Sequence, residues 1–335
     1  MLLNPAILAL LTVSAVVTFL MAMAAVFAVH VLRHWDIGSG SERQLRLEHR
    51  TYLISTLVAF SFVAEIVSLL LFVYNAEAMH TQFVGAMCAT GVLNANAWGW
   101  PALFLKIAAF FAGAVWLTLN RLDNQGWDYP LIRLKYGALL GIAPLVGAGA
   151  LVQARYFLGL QPDVITSCCG ALFSPDSAGV AGEVAGLAPR DAALALAGSG
   201  VLLMASGAWL HRRGTGAIAF ASAGALAFLV ALAAVVSLVA LYVYEHPHHH
   251  CPFCILKPGH DHVGYWLYVP LFAATAFALG AAVVAPWRKV ASLAAVVPAE
   301  TRRLTLLALL GFTAFYAIAA WAIATSNLNM LDVWW

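Results

Sequence analysis

The sequence predicts an all-α integral membrane protein of about eight transmembrane helices, with short loops and both termini on the extracytoplasmic side. Three observations carry this. Of the 335 residues, 63% are hydrophobic and only 10% charged, against about 25% charged in a soluble domain. The mean hydropathy is +0.88, so the folded chain would aggregate in water. The apolar residues also fall into separate runs of about 20 or more, the length that crosses a bilayer as helix.

The runs cover 5–32, 52–74, 101–119, 137–160, 191–210, 216–243, 265–286 and 304–326. The first lacks a basic leader, and its apolar stretch exceeds the ~7–15 residues of a signal-peptide core, so it reads as a span rather than a cleaved signal. The second follows an Arg-rich polar stretch. The third follows "LNANAWGWP", whose Trp98 and Trp100 read as an interfacial aromatic belt. The fourth and seventh contain Pro144 and Pro270, and the eighth ends before "DVWW", a second interfacial anchor. No soluble domain is inserted, so residues 1–335 read as one polytopic domain. Its longer loops are 75–100, 161–190 and 244–264.

Basic residues orient the spans, because cytoplasmic loops accumulate Lys and Arg. Thirteen of the seventeen lie between spans 1–2, 3–4, 5–6 and 7–8, which places those connectors in the cytoplasm. The expected location is the plasma (bacterial inner) membrane. The net charge of +2 and the absence of a basic patch argue against a nucleic-acid partner. No GxxxxGK[ST], GxGxxG or HExxH motif is present, so nucleotide-driven transport and zinc proteolysis have no support.

All five cysteines then fall on the extracytoplasmic face. Cys88 lies in loop 75–100, Cys168 and Cys169 in loop 161–190, and Cys251 and Cys254 in loop 244–264. Free cysteine ordinarily favours apolar surroundings, yet here it avoids the spans. The compartment is oxidising, so disulfides are one reading, but five is odd and leaves at least one thiol over. Cys251-Pro-Phe-Cys254 is a CxxC turn, which aims two sulfurs at one point for reversible disulfide chemistry or for a soft metal. It sits inside "EHPHHHCPFCILKPGHDH", with six histidines in eighteen residues. Imidazole with thiolate suits copper or zinc. The candidate metal ligands are Cys251, Cys254, His248, His250, His260 and His262, completed by Cys88, Cys168 and Cys169. The sulfurs of the three loops are expected to converge.

Two resemblances touch the cysteine positions alone. Cys88, then Cys168-Cys169-Gly170, then Cys251-x-x-Cys254 resembles the C…CCG…CxxC order of heterodisulfide reductase modules, which implies an iron–sulfur cluster. The gaps here are far longer and hold membrane spans. A CxxC at the outer end of a span is also similar to quinone-linked disulfide-forming membrane proteins and vitamin K epoxide reductases, which have about half as many spans. That likeness implies Cys251 and Cys254 as catalytic thiols.

Charged residues at membrane depth are functional candidates. Glu65 lies roughly 14 Å inside span 2, and Lys106 and Arg155 lie within about 10 Å of the same boundary, at about 1.5 Å per residue. They read as an ion pair of Glu65 with Lys106 or Arg155, or as a proton-, quinone- or ligand-binding site below the cysteine loops. His30 and His211, near span ends, are weak candidates for haem ligands. The functional expectation is an extracytoplasmic Cys/His site for a transition metal or cluster, serving electron transfer or the handling of copper-like ions. A membrane thiol–disulfide oxidoreductase is the alternative, and an accessory subunit of a respiratory or metalloenzyme complex a third. An extracytoplasmic protein partner or a larger membrane complex is expected beside the lipid bilayer.

Overall fold

The computed structural model describes residues 3–161, 163–166, 172–174 and 179–330, which form helices and turns with no strand among them. Among the described residues, eight helices are long and apolar enough to cross a membrane, as the hydropathy predicts: α1 Pro5–His34, α2 Glu42–Ala78, α3 Gly99–Asp123, α4 Ile132–Leu158, α5 Pro189–Arg213, α6 Ala217–Tyr244, α7 Val263–Lys289 and α8 Val296–Thr325.

Helix α2 begins ten residues before its apolar run. Ser41 accepts the Gln44 N–H at 3.3 Å, and the polar "ERQLRLEHR" continues the same helix. Hydropathy marks what a bilayer would cover, whereas caps mark where the hydrogen-bond ladder stops. The two boundaries need not coincide.

The contacts divide the chain into two compact units. Residues 1–75, 93–162 and 286–297 form the first, which holds α1, most of α2, α3 and α4. Its core is Val17, Met21, Phe62, Trp116 and Tyr136. Gly113 of α3 lets the Phe62 ring of α2 approach, since a Cβ there would meet Phe62 Cδ1 at 2.7 Å. Small residues at helix contacts are the usual device where lipid gives no hydrophobic drive for packing.

Residues 76–92, 163–285 and 298–335 form the second unit, built on α5 to α8. Gly207 and Gly224 play the same part there, against Leu309 and Phe220, and against Ala278. Helix α6 is central: 67% of its apolar window is buried, more than in any other span. Val235–Val239 of α6 form a π-helical turn, a feature that recurs near functional sites.

Candidate metal centre

The second unit carries the cysteine site. Beyond Ala78 the chain makes a short 3₁₀ turn at His80–Gln82, then bends at Gly85, whose φ of +82° is a conformation glycine adopts without strain. This brings Cys88 to the start of a short helix, Ala89–Leu93. The Glu77 carboxylate accepts the Ala89 N–H at 2.8 Å and so ties the end of α2 to the residue after Cys88.

On the other side, α6 stops at Tyr244, and Glu245 takes a left-handed conformation that turns the chain into the histidine loop. Two tyrosine hydroxyls hold the CxxC turn from beneath. Tyr244 of α6 donates to the Cys251 carbonyl at 2.5 Å, and Tyr268 of α7 donates to the Pro252 carbonyl at 2.8 Å. The turn closes with 3₁₀ bonds from Leu256 and Lys257 to Phe253 and Cys254. Lys257 then reaches across, donating to the Met87 carbonyl and standing 3.7 Å from Glu77.

The result is a buried cluster. The Cys88, Cys251 and Cys254 sulfurs lie within 4.8 Å of one another, and Cys88 and Cys251 are 3.4 Å apart. That separation exceeds the ~2.05 Å of a disulfide bond, so those two sulfurs are not bonded to each other. The Thr90 hydroxyl is 3.4 Å from the Cys251 sulfur. The three residues are only 0 to 4% exposed. Bonds of about 2.3 Å around one tetrahedral ion would space sulfurs about 3.8 Å apart, so small adjustments would let the three bind one metal ion.

Cys168 and Cys169 lie outside the described residues. Thr166, two residues before Cys168, is anchored beside Cys88's loop: its N–H donates to the Val84 carbonyl at 2.9 Å. A Cβ on Gly85 would meet the Thr166 carbonyl oxygen at 2.5 Å, so that contact requires glycine.

The candidate histidines stand around the cysteine cluster rather than in it. Among the described residues, the metal-capable donors that converge are cysteines alone. His250 is buried, with Nδ1 3.1 Å from the Val236 carbonyl in the π-helical turn. His262 Nδ1 is 2.7 Å from the Leu256 carbonyl, so its bond helps shape the turn. His260 stands edge-on to Tyr244 at 4.7 Å, and His249 stacks on the same ring at 4.1 Å. His248 is exposed beside His246. Glu77, Thr90, Tyr244 and Tyr268 were missed by the sequence reading. Glu77 lies just past the expected end of span 2, and tyrosines at span ends pass for interfacial anchors.

Burial, then the nearby His249 and Lys257, push the His260 imidazole below its ordinary range. The unfolded loop therefore takes up a proton before the folded one does. Loop stability is expected to fall as the pH drops through about 6.5, the unperturbed imidazole value, and to level off below the depressed folded value. Amide hydrogen exchange across 246–262 measures this, and His260→Gln should flatten the dependence.

A second prediction concerns Gly264, the second residue of α7. A Cβ there would meet Leu256 Cδ2 at 2.7 Å, Ile255 Cγ1 at 2.9 Å and the Ile255 backbone carbon at 3.2 Å. Gly264→Ala should therefore push the turn that follows Cys254 and cost about 1–3 kcal/mol, the usual penalty of overpacking. Thermal unfolding in detergent reads the loss.

In the first unit, Lys106 Nζ stands 3.7 Å from the Glu65 carboxylate and donates to Ser68 at 2.8 Å. Of the two expected partners for Glu65, the structure pairs it with Lys106. Arg155 instead covers the Trp98 ring at 5.4 Å.

Fold and site together define a multi-pass helical membrane protein with a buried three-cysteine cluster able to hold a metal ion. No family model, no curated protein and no solved structure matches the chain, so the reading of the site rests on its own geometry.

Proposed function

We propose that this protein binds a soft transition-metal ion or cluster through Cys88, Cys251 and Cys254 on the extracytoplasmic face of the plasma membrane, for electron transfer or the handling of copper-like ions. One observation carries the reading: three buried sulfurs from two distant loops lie within 4.8 Å of one another. Thiolates select Cu(I), zinc or iron–sulfur clusters over hard cations. Cys168 or Cys169 would add a further thiolate, a role supported by the anchoring of Thr166 beside the Cys88 loop. With such a fourth thiolate the donor set would match a tetrahedral zinc or iron–sulfur site. His248, His250, His260 and His262 would serve as a surrounding imidazole shell that draws ions to the thiolates. An extracytoplasmic protein would deliver or receive the ion or electron.

The experiment is metal analysis of protein purified without an affinity-metal column. About one soft ion per chain is expected, released on alkylation of the cysteines. Metal-free protein with its cysteines all bridged would overturn the reading.

The 3.4 Å approach of Cys88 and Cys251 favours a second reading, a thiol–disulfide oxidoreductase in which Cys251 and Cys254 exchange with a partner and electrons pass to a quinone. Reactive cysteines are ordinarily part-exposed, however, and these three are nearly closed off from solvent. Burial therefore ranks metal binding first. Titration of the thiols in graded redox buffers separates the two, because one CxxC pair at a mild potential would support exchange.

A further inference from the structure

We propose that Glu77 and Lys257 form a clasp that holds Cys88 against the CxxC turn and sets how readily the cysteine cluster opens. Where an ion occupies the cluster, the clasp also sets how fast that ion enters and leaves, and this second part rests on the metal-binding reading above.

The two sides of the cluster are held differently. Cys251 and Cys254 sit in a turn whose Cys251 and Pro252 carbonyls accept from Tyr244 of α6 and Tyr268 of α7, so two membrane-length helices fix it. Cys88 arrives on a loop that bends at Gly85 and is followed by a helix of only five residues, Ala89–Leu93. So short a helix has little stability of its own, and its place depends on what it bonds to.

Both chain neighbours of Cys88 are gripped. The Ala89 N–H donates to the Glu77 carboxylate at 2.8 Å, and the Lys257 ammonium donates to the Met87 carbonyl. The two gripping side chains also meet each other, with Lys257 Nζ 3.7 Å from Glu77 Oε1. His80 Nδ1 stands 3.6 Å from the same oxygen, so the carboxylate faces basic groups from its own side of the cluster and from the CxxC side. Glu77 lies at the end of α2 and Lys257 lies three residues beyond Cys254, so the pair joins the two segments that carry the sulfurs.

The clasp lies at the rim of the cluster. The Lys257 side chain is 26% exposed, whereas the three cysteines are 0 to 4% exposed. Closed, the cluster gives an ion in solution almost no path to sulfur, so one side must swing away before an ion can pass. Local openings of this kind cost less than global unfolding and fall where the ties are fewest. The Cys88 side is held by a pair of side chains, and the CxxC side by two spans. Breaking the clasp therefore frees Cys88 first and leaves Cys251 and Cys254 together, a two-thiolate site that can pass an ion to or from another protein's donors.

The test follows amide hydrogen exchange in the intact, reduced, metal-free protein in detergent. In Lys257→Met, exchange over 86–92 is expected to rise about tenfold, the size of one hydrogen bond from a charged donor. Over 250–256, where the tyrosine hydroxyls hold the turn, the rise should stay below about twofold. Glu77→Gln keeps an acceptor for the Ala89 N–H but loses the charge, so it should loosen 86–92 in the same direction. Lys257→Arg should restore the protection. A merely global loss of stability would raise both segments alike, and that result, or an unchanged 86–92 in both variants, would overturn the clasp. Cobalt(II) then reads the ion: after a chelator is added, the thiolate-to-cobalt absorption should decay about tenfold faster in Lys257→Met. Decay at the wild-type rate would overturn its control of the ion. If wild-type protein takes up no cobalt while 86–92 loosens as expected, the metal reading falls and the clasp stands.

Discussion

Cys251→Ser is expected to weaken the binding of a soft metal ion by at least about 100-fold, the upper end of what losing a mere supporting contact costs. The substitution isolates the sulfur. The Cys251 carbonyl stays bonded to the Tyr244 hydroxyl and the neighbouring Pro252 carbonyl to Tyr268, so the turn keeps its backbone supports. Serine is smaller and remains largely protonated at neutral pH, so it offers the ion neither softness nor charge. Cys88→Ser and Cys254→Ser should act alike, since all three sulfurs share one cluster. A control sharpens the comparison. His246 and His248 are exposed and stand outside the group of converging donors, so replacing both with alanine should change affinity by less than about threefold, within the ~0.5 kcal/mol typical of surface substitutions. Competition against a coloured chelator gives the affinities, and the thiolate-to-metal absorption of the cobalt-substituted protein reports the ligands. Were the histidine pair decisive and the serine variants silent, the imidazole loop and not the cysteine cluster would be the site.

Much of this was legible in the sequence. Hydropathy found all eight membrane-length helices, because a span must satisfy its backbone internally and show lipid an apolar surface along its length. The CxxC turn was legible because its two ligands are local. Its meeting with Cys88 followed only as an expectation of convergence, since 163 residues separate Cys88 from Cys251 and periodicity says nothing across such a gap. Ligand density along a chain is not convergence in space, and here the rings of His250 and His262 contact backbone carbonyls while His249 and His260 pack on Tyr244. Glu77 and the two tyrosines were illegible for a related reason. Their work lies in hydrogen bonds to backbone groups and, for Glu77, an ion contact with the distant Lys257, which leave no pattern in composition or spacing. Glu65 and Lys106 were more visible, because a charge inside an apolar run stands out and calls for a partner.

Lys135 shows the opposite failure, for it entered the sequence reading only as one of thirteen basic residues that orient the spans. It is fully buried, with its ammonium 2.7 Å from the Asp123 carboxylate and 3.1 Å from Asn120. Asp123 closes α3 and also accepts the Leu131 N–H at 2.8 Å, while Trp116 donates to the Lys135 carbonyl at 2.9 Å. This network fixes the α3–α4 hairpin at its turn. Lys135→Met should destabilise the protein by about 3–5 kcal/mol, because a buried carboxylate loses its counter-ion while its desolvation cost remains. Asp123→Asn should fall in the same range by stranding the ammonium, although its amide oxygen can still accept the Leu131 N–H. The double variant removes both charges and is expected to recover a large part of either loss, since a buried pair and a neutral replacement are often close in free energy. Denaturant unfolding in mixed micelles of all four proteins closes the cycle. Strictly additive losses in the double variant would mean that the two charges act apart, and that the hairpin is held instead by Trp116 and the packing around it.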